Sequence, residues 1–374
     1  MWAIALRMIL HEKLKTAGTL FGVVFSALLV NQNGGMLLGL MERMTALIGQ
    51  SDADLWVAQR FTESVDFSDS IPMRRLWEVQ AIPGVAWAEP AFVGHGIIKR
   101  PQGDFEPVAV IGSSAPRFAI GPKALREGTR LESLAERDAI FVEWTERHRF
   151  GKLEVGDVRE LSGVRSRLAG FTERLTPFGQ TYVFASLRQA QQFAHVPDDT
   201  ITFVLVKVAP GHDVEAVRSQ IAARVKNVEV FSRQGFRKSS IVYWFRRTPI
   251  GINFGMMTGV AILVGFVIVS LTMLTSVVDR VRDFGTLRAI GARRSHLFRL
   301  MLAQAGLFAM AGYGIGVGFF HILKHFAVKG GAIILNPPWL YVVAFGFVLL
   351  ICVGSSLIAI RRVLKVEPGL VFRS

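Results

Sequence analysis

The chain has 374 residues, 51% of them hydrophobic and 19% charged, with a mean hydropathy of +0.38. A soluble domain carries about 25% charged residues, and the apolar excess here lies at the two ends of the chain, which points to membrane segments and not to a larger core. The formal net charge is +14, yet residues 42–248 hold 28 basic against 25 acidic side chains. The basicity therefore belongs to the apolar ends, which excludes a nucleic-acid-binding middle domain and suits helix ends that meet an anionic leaflet.

Residues 1–16, MWAIALRMILHEKLKT, put Trp2, Ala5, Leu6, Ile9 and Leu10 on one helical face and Arg7, His11 and Lys15 on another. That pattern predicts an amphipathic helix in the membrane interface, with a plain extension of the next segment as the alternative. Residues 17–41 have the length of a membrane span. A cleaved signal peptide would be followed by an A-x-A-like site; here Asn31, Gln32 and Asn33 lead into GGMLLGLM, and the segment reads as a retained span.

Residues 42–248 read as a large extracytoplasmic domain. Residues 54–57, DLWV, open an apolar strand. A helix is expected over 72–81, a turn at Pro83-Gly84, and extended chain at 86–89 and 92–98. The same order recurs later: a strand over 202–208, a helix over 211–225 with Val214, Val217, Ile221 and Val225 on one face, and a strand over 228–231. Residues 51–113 and 201–235 thus predict two β-α-β units of one split α+β sheet, interrupted by an insertion over 114–200 that reads as a mainly β subdomain. At roughly 200 residues the domain can bury a core without staples. The single cysteine, Cys352, allows no intramolecular disulfide.

Three further spans follow, at 252–278, 300–323 and 339–360, with a polar loop at 279–299 and a tail at 361–374. The third is rich in glycine (Gly306, Gly312, Gly314, Gly316 and Gly318), a pattern that lets helices approach closely in lipid. The expected fold class is a membrane α-helical protein with four transmembrane helices, one plus three, and a large α+β extracytoplasmic domain. Arginine and lysine cluster before the first span, between the second and third, and after the fourth. The positive-inside rule then places both termini and the 279–299 loop in the cytoplasm and the large domain outside, in the periplasm of a cell with two membranes. Tyr243 to Arg247, YWFRR, reads as aromatics and cations at an interface.

Catalytic signatures are missing from the sequence. It has no G-x-x-x-x-G-K-[ST] phosphate loop, so ATP is not bound by that route, and no H-E-x-x-H or G-x-S-x-G. The eight histidines are scattered; His321 and His325 share a helix face but sit at the mouth of a span. No charge lies in the middle of a span, which argues against a proton relay or an intramembrane enzyme. The chain is expected to be no enzyme and to carry no metal or cofactor.

The 279–299 loop stands apart. It combines dense arginine with an apolar face of Val281, Phe284, Leu287 and Leu297 and with Gly285 and Gly291, the latter placed to end one helix and start another. Composition alone reads it as a positive-inside loop. Residues 282–292, RDFGTLRAIGA, resemble the signature of FtsX-like ABC transporter permeases, a family that includes macrolide-exporter, lipoprotein-release, cell-division and glycolipid-exporter (DevC) members. The one-plus-three layout resembles that family too. Residues 11–14, HEKL, and 54–57, DLWV, look most like the DevC branch. The resemblance implies that this loop is a coupling helix docked in a groove of a separate ATPase, with contacts from Arg282, Asp283, Phe284, Gly285, Leu287, Arg288, Ala289, Ile290, Gly291, Ala292 and Arg293. Asp283 stands where glutamate is usual, and Gln304 where an acidic residue is common.

What it implies further is a permease subunit of an ABC transporter working by mechanotransmission. ATP and magnesium would belong to two copies of a cytoplasmic ATPase. Residues 40–50 and 239–249 would extend the first two spans outward as a stalk. A second copy of the chain, membrane lipids, a periplasmic adaptor and an outer-membrane channel are the implied partners; the implied substrate is lipid-like or hydrophobic, taken from the outer leaflet of the inner membrane. The alternative from the same family is a signalling subunit that activates cell-wall hydrolases.

Overall fold

The computed structural model describes residues 13–175, 178–279, 294–329 and 332–364. It divides into two compact units, Met41–Pro249 and a second made of Met1–Leu40 with Ile250–Ser374.

Among the described residues of Met41–Pro249, nine strands form one sheet. They are β1 (Leu55–Gln59), β3 (Val85–Lys99), β4 (Phe105–Ser113), β5 (Ala139–Glu143), β6 (Val158–Leu161), β7 (Val164–Thr172), β8 (Thr181–Ser186), β10 (Phe203–Val208) and β11 (Val228–Ser232), in the order β11-β1-β10-β3-β4-β8-β5-β7-β6. The short β2 (Ile71–Pro72) and β9 (Thr200–Ile201) pair apart from it. The two β-α-β units interleave: β1 lies between β11 and β10, and β10 lies between β1 and β3. The insertion does not form a sheet of its own. β3 is 15 residues long and pairs with β10 through its first half and with β4 through its second. β4 then takes β8 as a parallel neighbour, Val108 opposite Thr181. The strands of the insertion thereby prolong the same sheet, because an unpaired long edge would leave a row of polar backbone groups open.

Side-chain alternation covers both faces of this sheet. Trp56 and Ala58 of β1 and Phe203 and Leu205 of β10 point to one side. Leu55 and Val57, with Val204, Val206 and Val208, point to the other. The second side is closed by the helices Arg74–Gln80 and Val214–Arg224, with Leu76, Val79, Val217 and Ile221 buried. Asp213 caps the latter by accepting a hydrogen bond from the Ala216 N–H at 2.9 Å. The first side is closed by Leu47 and Ile48 of the helix Ala46–Gln50 and by Phe236 of the helix Arg233–Arg247. Phe236 is fully buried, its ring 5.6 Å from both Trp56 and Phe203 and 4.7 Å from Phe231.

The other unit is helical. Lys13–Met44, Ile250–Asp279, Arg294–Lys329 and Pro338–Leu364 are continuous helices, the first passing into the sheet unit after residue 40. Among the described residues four helical segments are long and apolar enough to cross a membrane: Thr16–Met44, Ile250–Leu271, Met301–Lys329 and Pro338–Leu357. The third and fourth helices outrun the apolar windows 300–323 and 339–360, since backbone hydrogen bonding needs no apolar side chain. Val23, Ala27, Val269, Ala305, Phe308, Ala309, Val348, Ile351 and Cys352 form the shared core. Glycines set the spacing. A Cβ at Gly312 would lie 2.5 Å from Val23, and one at Gly316 would lie 2.7 Å from Ala27; Gly314 and Gly318 meet nothing within 4 Å. The glycine-rich third span therefore packs on the first helix by one face only.

Candidate functional site

Every residue expected to couple to an ATPase, from Arg282 to Arg293, lies outside the described residues, as does most of the interfacial helix expected over 1–16. The helices on either side of that loop are described up to Asp279 and from Arg294. Two other places stand out among the described residues, one in each unit.

The first is a notch on the first helix. Asn31, Gln32 and Asn33 sit inside the helix, with Asn31 Nδ2 bonding back to the Ala27 carbonyl at 2.8 Å. The segment 332–337, between the third and fourth spans, lies in the notch. The Leu335 N–H donates to the Gly35 carbonyl at 3.0 Å, and Asn336 Nδ2 donates to the Asn31 carbonyl at 3.2 Å. Lys324 Nζ donates to Asn336 Oδ1 at 3.1 Å. A Cβ at Gly35 would come within 2.7 Å of Ile334 and Asn336, and one at Gly39 would fall on the Ile333 carbonyl. The NQNGG run is thus a seat for a non-helical segment whose polar backbone needs partners at this depth. His321, on the third helix, stacks on Tyr341 with 5.9 Å between ring centres, and Tyr341 Oη lies 3.4 Å from its Nε2.

The second place is the helix Arg233–Arg247, which leads into the second span. Ser232 caps its start, accepting from the Gly235 N–H at 3.1 Å. Pro249 ends it by forcing Thr248 into an extended conformation, φ −124° and ψ 159°, and the span helix restarts at Ile250. On one side it meets the end of the first helix, where Arg237 pairs with Glu42 at 2.8 Å, and the helix Ala46–Gln50, where Arg233 Nη2 donates to the Gly49 carbonyl at 3.3 Å. On the other side it holds the loop after β1 by successive turns. Ser239 Oγ donates to the Glu63 carbonyl at 2.9 Å, Ser240 Oγ accepts from the Val65 N–H at 3.2 Å, and Arg247 grips Glu63 through Nε at 3.1 Å and Nη2 at 2.9 Å.

At the centre of this junction is Asp66. Trp244 Nε1 donates to its Oδ2 and Tyr182 Oη to its Oδ1, each at 3.3 Å. Tyr182 belongs to β8, so one carboxylate joins the helix, the loop and the sheet. Burial pushes the Asp66 carboxyl up to about 6, against the pull of these two donors. Rings enclose it: Phe178 stands edge-on to Trp244 at 4.8 Å, and Phe67 lies 5.6 Å from both Tyr243 and Trp244. The YWFRR run was legible as an interfacial cluster, but Asp66 carried no signal: it is one acid in a polar loop, and its partners are far away in sequence. Farther out on the sheet, Trp144 lines a cleft of about 610 Å³, with the Arg126 and Arg147 guanidiniums each 3.5 Å from its ring centre.

An α+β domain set between one apolar helix and three others defines a multispan membrane protein with a large extracytoplasmic domain. Residues 16–224 match the family described as MacB-like periplasmic core domain, and residues 255–368 match FtsX-like permease C-terminal. The first match alone spans more than half of the chain, and the chain belongs to this MacB/FtsX type of permease. It is 22% identical over 262 residues to an uncharacterized ABC transporter permease of Methanocaldococcus jannaschii, a match covering 65% of this chain and 64% of that protein. The chain thus spans less than two thirds of that relative's length. Among solved structures it is similar to the periplasmic region of MacB from Actinobacillus actinomycetemcomitans, with a TM-score of 0.39, 9% identity, and 51% of this chain and 94% of that one covered. It is also similar to the extracellular domain of the noncanonic ABC-type transporter YknZ from Gram-positive bacteria, with a TM-score of 0.35, 11% identity, and 48% and 99% covered.

Proposed function

We propose that this chain is the membrane subunit of an ABC transporter that works by mechanotransmission. ATP hydrolysis in two separate ATPase chains, docked on residues 282–293 of two permease copies, moves the spans as levers, and the movement reaches the extracytoplasmic domain. The substrate class in this reading is lipid-like or hydrophobic, and it need not pass between the helices. Both termini face the cytoplasm. An adaptor and an outer-membrane channel would complete an export path.

The observation that carries the reading is the bracing of the helix Arg233–Arg247. Its last residue stands three positions before the second span, and Ser239, Ser240, Trp244 and Arg247 fasten it to the loop after β1. Through Asp66 and Tyr182 that loop is tied to β8. A displacement delivered to this helix would be passed to the loop after β1 and on to β8 through these contacts. Family membership and the relative's description as an ABC transporter permease support the same reading.

The test is Gly291→Leu in the assembled complex in nanodiscs. The sequence expects Gly291 to end one helix and start another, so a leucine there would displace the docking ridge. The expected result is an ATPase that still co-purifies but whose hydrolysis no longer responds to the permease. Unchanged stimulation would refute the role given to the loop, and no co-purifying ATPase with the wild-type chain would refute the transporter itself.

A further inference from the structure

A cleft of about 350 Å³ opens on the helix Arg233–Arg247, lined by Glu63, Ser239, Val242, Tyr243, Arg246 and Arg247. Its depth in the membrane follows from the chain. Arg247 is three residues from Ile250, where the apolar helix begins, so at most about 10 Å of chain separates them. A headgroup layer is about 5–8 Å deep on each side of the hydrocarbon. The chain therefore tethers the Arg246–Arg247 end of the cleft within reach of lipid headgroups.

Its charges are of both signs and are placed differently. Arg246 is exposed, and no carboxylate pairs with it among the described residues. Its guanidinium has five donors and no acceptor, which is what a phosphate diester needs. Arg247 is already engaged: its fork meets both oxygens of Glu63, which holds that carboxyl below the usual carboxylate range and keeps it ionised. A carboxylate has about four acceptor positions, so Glu63 retains room for a second donor while paired. Tyr243 also lines the cleft, and an aromatic ring attracts a cation. One unpaired cation, one ionised acid with spare acceptor capacity and one aromatic face make a poor site for a simple anion. They make a complementary one for a phosphate joined to a primary ammonium.

We infer that this cleft binds the headgroup of an aminophospholipid, phosphatidylethanolamine, with Arg246 on the phosphate and Glu63 with Tyr243 on the ammonium. The bound lipid would lie against the helix that enters the second span. Phosphatidylcholine offers a quaternary ammonium with no N–H for Glu63. Phosphatidylglycerol has no cation, and its net negative charge faces the Glu63 carboxylate. The site depends on the membrane topology and not on the transporter reading, so a failure of lipid selectivity leaves the ATPase test above untouched.

The test uses the full chain in nanodiscs of equal phosphatidylethanolamine, phosphatidylglycerol and phosphatidylcholine, with the lipids retained after mild delipidation read by native mass spectrometry. Wild type is expected to retain phosphatidylethanolamine over the other two by roughly tenfold, the value of one charge-assisted hydrogen bond. Arg246→Ala, an exposed and unpaired position that the fold does not need, should abolish that retention. Glu63→Gln should let phosphatidylglycerol bind as well as phosphatidylethanolamine. Equal retention of the three lipids by wild type, or retention unchanged in Arg246→Ala, would overturn the inference and leave an ordinary interfacial belt. Displacement by millimolar glycerophosphoethanolamine as effective as by the lipid would overturn it in favour of a soluble ligand.

Discussion

Replacing Asp66 by asparagine removes one charge from the junction of helix, loop and sheet while keeping the side-chain shape. Burial raises its carboxyl from 3.8 to about 6, and at about 1.36 kcal/mol per unit this amounts to about 3 kcal/mol, an upper figure since the residue keeps some exposure. Between roughly pH 4 and 6 the folded domain holds a proton on Asp66 that the unfolded chain has released. Stability from this group is therefore complete below about pH 4 and is lost as pH rises through about 6. Asparagine does not titrate. Asp66→Asn should match wild type near pH 4 and exceed it at pH 8. At about 2–4 °C per kcal/mol for a domain of this size, the gap in Tm reaches roughly 6–12 °C, a figure that already includes the opposing pull of Trp244 and Tyr182. Thermal unfolding of the full chain in detergent, followed by intrinsic fluorescence from pH 4 to pH 8, reads this directly. A Tm difference that is constant over the range, or largest in acid, would refute the reasoning.

Trp244→Phe keeps a ring against Phe67 and Phe178 but removes the donor to Asp66, so the pH midpoint of that stability change should move above about 6 in the same scan. Phe236→Ala empties the space between Trp56, Phe203 and Phe231 and should cost about 3–5 kcal/mol, seen as a large fall in Tm. Gly39→Ala puts a methyl group on the Ile333 carbonyl and should cost about 1–3 kcal/mol by lifting 332–337 from its notch. Gly49→Ala, in the helix Ala46–Gln50 with nothing within 4 Å, should instead be neutral or stabilising by up to about 1 kcal/mol. Equal effects of the two glycine substitutions on Tm would refute the close approach at Gly39.

The apolar runs announced four long helices, because the bilayer imposes a length and a composition that few other settings require. Continuous apolar runs announced the strands around Trp56 and Phe203, because a sheet covered on both faces demands apolar residues at every position. The helix expected over 211–225 runs from Val214 to Arg224 for the same kind of reason: its buried face repeats at helical spacing. These signals are local, and they survive in a single sequence. The sequence also carried the RDFGTLRAIGA run, whose resemblance named the family, although residues 280–293 are not among those described.

Tertiary structure alone decided what joins what. Nothing in residues 114–200 says that their strands prolong an existing sheet, since parallel pairing of β4 with β8 brings together residues some seventy positions apart. The polar NQNGG run looked like an interruption of a span, and only the segment 332–337 shows it to be a seat. Asp66, Tyr182 and Trp244 meet across 178 residues, a distance over which no periodicity carries information. Composition and spacing record how a segment meets its surroundings. Which segment supplies those surroundings is set by chain closure and side-chain fit, and these exist only once the chain has folded.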